Sequence, residues 1–390
     1  MTAVKVIHPP KAFLFLPIAG LVSLIKQVRF VLALVIFLLL SGCSQQLWNQ
    51  PYNDEQVLSD TLFSSFSAPP KHLDPVVSYS SNEWAILSQI YEPPLQYHYL
   101  KRPYTLEPLT LKQMPERVFL DENGSVTVDE SRAKFSEYTL SIKPDILFQP
   151  HPAFVKNADQ TLFYSDLSDK QLGQIKQISD FKKTDARALT ADDYVYAIKR
   201  MGVRQNHSPV LETMTKYIVG LDVFSQKVSD DFTQFSKDKD ADTDFFDLRP
   251  YTIEGIQVID KLNFRIRIKG VYPQFQYWLS MNFFAPIPWE ADQFYKQPGL
   301  VEKNLTLDTS PVGTGAYQLV ENNPNKRMRL TVNPNFHEQR YPLDGLAPGA
   351  DSQLLDDAGK TLPFIKEVIY SLEKESVPLW NKFLQGYYDA

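Results

Sequence analysis

The residue types able to do covalent or acid–base chemistry are few and scattered. Cysteine occurs once, at Cys43, directly after Leu40-Ser41-Gly42. Small residues let a chain enter a peptidase cleft in extended form, and a thiol just beyond them can be lipidated through its thiolate. The six histidines are His8, His72, His98, His151, His207 and His337. No two share helical or hairpin metal spacing, so no zinc site is expected. No Gly-x-Ser-x-Gly occurs, so an elbow-type serine hydrolase lacks its nucleophile. Gly313-Thr314-Gly315 lacks the Gly-Lys-Ser/Thr of a phosphate loop and precedes a strand pattern, so a tight turn or close backbone approach is expected. Asp192-Asp193 reads as helix-start charge rather than an acid/base pair, and Lys237 to Asp244 as a solvated loop. No metal and no cofactor is implied, and the chain is expected not to be an enzyme.

The elements around Cys43 decide what its thiol does. Phe30 to Leu40 is wholly apolar, Lys26 and Arg29 precede it, and the first acid of the chain is Asp54. A positive flank, an apolar core of about 7–15 residues and small residues before a cut form a secretory signal. The run falls short of the roughly 20 apolar residues that cross a bilayer. A second apolar stretch, Phe13 to Ile25, implies an over-long leader or an upstream start codon. The segment resembles a bacterial lipoprotein signal. Residues 1–42 are therefore expected to be a signal segment, Cys43 the lipidation site and the polar residues 43–60 a tether. Ser44, not an aspartate, follows Cys43, so neither the inner nor the outer membrane is singled out.

Composition sets the class. The 390 residues are 43% hydrophobic and 13% aromatic, which fits a packed core and not disorder. Beyond residue 42 there remain 36 basic against 46 acidic residues, a net charge of −10, which argues against nucleic-acid binding. With Cys43 lipidated no disulfide can form, and the core alone must carry stability.

Periodicity places the elements. Thr61 to Phe66 reads as a strand, and Asn82 to Tyr91 as a helix capped by Asn82 and ended by Pro93-Pro94. Tyr138 to Ile142 alternates as a half-buried strand. Thr190 opens a helix whose first turn holds Asp192 and Asp193, with Tyr194, Ile198 and Met201 along one face. Ile256–Ile259 with Phe264–Ile268, and Tyr317–Val320 with Arg327–Val332, read as hairpins. Asn157–Lys183 and Ser229–Asp247 are polar and read as surface insertions. Phe364–Tyr370 reads as a strand, Pro378–Gln385 as a helix, and an exposed apolar surface is expected near Phe364 to Tyr388.

Several motifs in order carry a family resemblance: Leu73-Asp74-Pro75, Ile90-Tyr91-Glu92-Pro93-Pro94-Leu95, Tyr138–Asp145 with Phe148, Leu189–Ala197, Ser310–Tyr317 and Asn333-Pro334-Asn335-Phe336. Together they resemble extracellular solute-binding protein family 5, the oligopeptide- and dipeptide-binding components of ABC importers. Ala316 stands where the family usually has proline, and Asn157–Lys183 interrupts a connection that is usually short. Lys382–Ala390 resembles a segment that lies well inside family chains. The chain is therefore expected to hold about the first half to two-thirds of a binding protein.

The resemblance implies an α/β fold of two-lobe periplasmic-binding-protein type (class II, mixed sheets), with an incomplete second lobe. The expected division is a first lobe over 61–320, with an inserted subdomain at about 85–188, and the start of a second lobe over 321–390. Closure of two lobes over a peptide, delivery to a permease, a lipid-held envelope location and a monomeric state are implied too. The ligand-facing candidates are Ser78, Tyr79, Ser80, Ser81, Asn82 and Trp84, with Asn282, Phe283 and Trp289 beside them. Thr190, Asp193, Gly313, Gly315 and Tyr317 are expected to be structural. Two other readings stay open: a lobe that binds no peptide and serves an interaction or scaffolding role, or none, and an envelope hydrolase.

Overall fold

The computed structural model describes residues 51–52, 60–237 and 245–389. The signal segment 1–42, Cys43 and most of the tether lie outside the described residues. The strands in chain order are β1 (Thr61–Phe66), β2 (Leu95–Tyr97), β3 (Leu106–Pro108), β4 (Glu116–Leu120), β5 (Val126–Thr127), β6 (Phe135–Ser141), β7 (Ile256–Asp260), β8 (Asn263–Lys269), β9 (Tyr317–Asn323), β10 (Arg327–Val332), β11 (Gln339–Arg340), β12 (Thr361–Leu362) and β13 (Glu367–Leu372). The longer helices are α1 (Ser81–Ile90), α2 (Ala191–Gly202), α3 (Leu211–Tyr217), α4 (Leu221–Phe235), α5 (Trp289–Tyr295) and α6 (Ser376–Leu384).

Alternation builds the larger sheet, ordered β5-β4-β6-β8-β7 and antiparallel throughout. In β8 the buried residues Phe264, Ile266 and Ile268 point to one face. Arg265 and Arg267 take the other, and both reach Glu137 of β6, at 3.1 and 2.8 Å. Glu137 lies directly opposite Arg267, so the ion pair also marks the register. Helix α2 packs over β7 and β8, with Tyr194, Ile198 and Met201 buried. Val195, Tyr196 and Ala197 are buried as well, so the helix is enclosed on nearly all sides.

The second sheet runs β1-β13-β10-β9. β1 and β13 pair in parallel although some 300 residues separate them, and the other two pairings are antiparallel. Helix α1 covers this sheet with Ile86, Leu87 and Ile90, which pack with Met328, Leu330 and Val368. Each such fully buried side chain stabilises by roughly 1.5–3 kcal/mol.

Four expectations need correction. The boundary at 320/321 falls inside β9, and β10 and β13 complete the sheet that β1 begins; residues 52–390 form one compact unit. The inserted subdomain at about 85–188 shares its sheet with β7 and β8, so it is not a separate body. Asn157–Lys183 is polar on average, but Tyr164, Leu167, Ile175 and Phe181 plug one by one into the main core. Likewise α4 continues through Ser229 to Phe235, because Phe224, Ser225 and Val228 keep one face buried. The expected apolar surface near the end is present: Val377, Trp380, Phe383 and Leu384 of α6 are exposed.

Candidate functional site

The loop from His72 to Asn82 is held at both ends by charge. At its start, Arg200 of α2 donates to both Asp74 oxygens, at 3.0 and 2.7 Å, and both side chains are buried. The Arg200 Nε also lies 3.3 Å from Asp292 of α5, which accepts from the Tyr196 hydroxyl at 2.8 Å. Burial works against a guanidinium charge, but the two carboxylates outweigh it and keep Arg200 protonated. Asp308 sits behind Asp74 and accepts from its amide at 3.2 Å. Burial and the Asp74 charge push the Asp308 carboxyl up.

At its far end the loop wraps around Glu83. Oε1 accepts from the amides of Lys71 and His72, both at 3.0 Å. Oε2 accepts from the Ser78 hydroxyl at 2.9 Å and from the amides of Tyr79 and Ser80, both at 3.1 Å. Burial alone would raise this carboxyl; five donors outweigh it and hold the pKa at about 2. The helix cap is therefore Ser80 with Glu83 three residues on, not Asn82. Asn82 lies in the first turn and its side-chain amide donates to the Ala68 carbonyl at 3.0 Å.

The polar-then-aromatic order of this loop suits backbone hydrogen bonds plus an aromatic face contact. Its Tyr79 and Ser80 amides and the Ser78 hydroxyl are spent on Glu83, so the aromatic part is what remains. The Tyr79 ring is 77% exposed and Trp84 41%. The Tyr79 ring lies 6.3 Å, centroid to centroid, from Phe283, which the turn Asn282–Phe284 sets between α1 and α2. Ser80 and Ser81 stay exposed beside it. Asn282 is 3% exposed, and among the described residues neither its Oδ1 nor its Nδ2 has a partner. Trp289 is capped by the Arg249 guanidinium, 3.6 Å from its ring centre, and no ring contact joins it to Tyr79 or Phe283 among the described residues.

The residues expected to be structural sit in the frame. The Asp193 carboxylate accepts from the Thr190 amide at 2.8 Å and hydroxyl at 3.0 Å. It also pairs with Arg187, which bridges to Glu290 at 2.7 Å. Gly315 donates its amide to the Ile90 carbonyl at 2.8 Å, and a Cβ there would stand 2.6 Å from the Gln89 carbonyl. At Gly313 a Cβ would collide with the Ile90 carbonyl. Both glycines thus let the backbone lie against the end of α1. The Tyr317 hydroxyl donates to the Ile365 carbonyl at 2.7 Å.

Three features escaped the sequence reading. One is Glu83, whose Ser80-x-x-Glu83 spacing was the available signal. Another is the buried Glu92, which accepts from Thr314 and meets the His337 Nε2, both at 2.8 Å. The third is a cluster of exposed tyrosines, in which Tyr97 meets Tyr104 and Tyr277. Among the described residues no group of three or more metal-ligating side chains gathers, and no helix is long and apolar enough to cross a membrane.

A profile of the bacterial extracellular solute-binding proteins, family 5 Middle, matches residues 181–390, more than half of the chain. The chain belongs to that family. Its fold is the mixed α/β fold of periplasmic binding proteins, and the family consists of binding components, not enzymes. The family's extracellular character places the chain at the cell envelope. Solved structures agree in fold. The Helicobacter pylori periplasmic binding protein DppA, in complex with peptide STSA, superposes with a TM-score of 0.50 at 13% identity over 86% of this chain and 47% of its own. The Escherichia coli murein tripeptide binding protein MppA gives 0.50 at 13%, covering 85% and 45%. Listeria monocytogenes OppA bound to peptide gives 0.51 at 12%, covering 85% and 46%. The chain thus spans less than half the length of these structures. No curated protein sequence matches.

Proposed function

We propose that this chain supplies a peptide-contacting face of the solute-binding component of an ABC importer, with the Tyr79 ring as its contact surface and the buried Phe283 behind it. The observation that carries the reading is an exposed ring on a clamped loop. Tyr79 is 77% exposed, yet Asp74 and Glu83 fix the backbone on either side. An ordered aromatic face grips a ligand at low entropic cost. The named neighbours that are bound to peptide support the ligand class. Delivery to a permease, a monomeric state and attachment through a lipid on Cys43 belong to the same proposal.

Calorimetric titration of tri- to pentapeptides tests it. Saturable binding should weaken roughly 5–30-fold in Tyr79→Ala, the loss of about 1–2 kcal/mol typical of an interface ring. Equal affinity in the variant would remove Tyr79 from the site. For the anchor, Cys43→Ser should abolish incorporation of labelled fatty acid, and a labelled variant would end that part of the proposal. A second reading, an interaction module that binds no peptide, draws on the exposed Val377, Trp380 and Leu384, which recur at helical spacing on α6. Absence of any saturable peptide binding would favour it.

A further inference from the structure

Strand β9 is an edge. Among the described residues it pairs only with β10, and no backbone hydrogen bond there joins its outer side to another element. A bare strand edge is a template for one more strand. This one lines a cleft of about 690 Å³ through Leu319, Val320 and Asn322, and Lys176 and Lys303 line the same cleft.

The cleft has its own charge. Lys176 and Lys303 are exposed, and neither ammonium has a carboxylate within ion-pair distance among the described residues. Asp180, next to Lys176, spends Oδ2 on the amides of Lys176 and Gln177. The single acid of the lining, Glu321, is taken by Arg327 at 2.8 Å and by Arg329 at 3.8 Å. A net positive cleft on a chain of formal charge −6 selects for acidic partners. Asn322 donates through Nδ2 to the Thr309 carbonyl at 2.7 Å, while its covered Oδ1 has no donor among the described residues. The register of β9 on β10 shifts at Val320, a bulge that interrupts the straight ladder. Bulges and walls discourage indiscriminate edge pairing, so the opening admits one short strand rather than a sheet.

We propose that an extended, acidic segment of a partner protein docks in this cleft as an added strand on β9. Its main chain pairs with the outer edge, and its carboxylates meet Lys176 and Lys303. Main-chain pairing supplies affinity and the lysines supply selection. This docking place is formed by residues other than those around Tyr79 and does not depend on that site.

The probe is a fluorescein-labelled, end-capped hexapeptide alternating valine and glutamate, titrated with the detergent-solubilised full chain and read by anisotropy. Saturable binding is expected. It should weaken by about tenfold or more in Lys176→Glu/Lys303→Glu, and by a similar factor for the backbone N-methylated peptide. It should persist in Tyr79→Ala. Val320→Pro, which places an imino acid on the edge, should also weaken it; because that change can disturb the hairpin, the exposed lysine pair gives the deciding variant. No saturable change, equal binding of a valine–lysine peptide, or equal binding of the N-methylated peptide would overturn the proposal. So would loss in Tyr79→Ala with the lysine variant unchanged.

Discussion

The clamp between Asp74 and Arg200 can be measured as a coupling. Asp74, Arg200 and Asp292 have side chains only 6, 5 and 8% exposed, so water cannot replace a lost partner. Removing one member of a buried pair leaves an uncompensated charge and costs about 3–5 kcal/mol. Asp74→Leu strands a guanidinium that still has Asp292 at 3.3 Å and should sit near the lower end. Arg200→Met strands two facing carboxylates, with Asp308 behind them, and should sit near the upper end. Asp74→Leu also loses the bond that its Oδ1 accepts from the Val76 amide at 3.1 Å, but the double variant loses it too, so that term cancels. The double variant replaces the Asp74–Arg200 pair by apolar groups of similar volume and leaves one stranded carboxylate, Asp292, which keeps the Tyr196 hydroxyl. The coupling should therefore reach about 2–3 kcal/mol in urea unfolding followed by circular dichroism, with an unchanged m-value. A coupling below about 0.5 kcal/mol would refute a tight buried pair, and with it the claim that α2 anchors the loop carrying Tyr79.

Three further outcomes follow from the same geometry. His151 is enclosed with its Nδ1 accepting from the Ala153 amide and Nε2 against the Tyr295 hydroxyl, and burial lowers its pKa to about 3. Its folded pKa is below the unfolded one of about 6.5, so its contribution is complete above that pH and is lost as pH falls toward 3. His151→Gln should reduce the slope of stability between pH 6 and 4 by about 1.4 kcal/mol per pH unit, and parallel slopes would contradict this. Gly313→Ala, whose Cβ meets the Ile90 carbonyl, should lower stability by about 1–3 kcal/mol in urea unfolding; no change would mean that the backbones can separate freely. Glu83→Gln keeps the shape but removes the charge that five donors share. Hydrogen exchange at the Lys71, His72, Tyr79 and Ser80 amides should accelerate together, and unchanged protection would assign the loop's order to other contacts.

What was legible in the sequence was local, and what was not was held by distance. The alternation of Phe264, Ile266 and Ile268 specifies a strand with one buried face whatever lies opposite it, and the spacing of Thr190 and Asp193 specifies a helix start. The parallel pairing of β1 with β13 leaves no local trace, because a strand's pattern does not say which partner fills its edge. Average polarity misled in Asn157–Lys183, where four widely spaced apolar residues anchor a polar chain. The candidate site shows the same division more sharply. Tyr79 and Trp84 were visible as polar-then-aromatic loop residues, but their use depends on which donors the loop keeps for itself. That is settled by Glu83 within a few residues and by Arg200 from 126 residues away. A loop whose polar groups are consumed internally cannot offer them to a ligand. What this loop chiefly offers is its rings, and it offers them in a fixed place because the Ser78 hydroxyl and the Tyr79 and Ser80 amides are consumed.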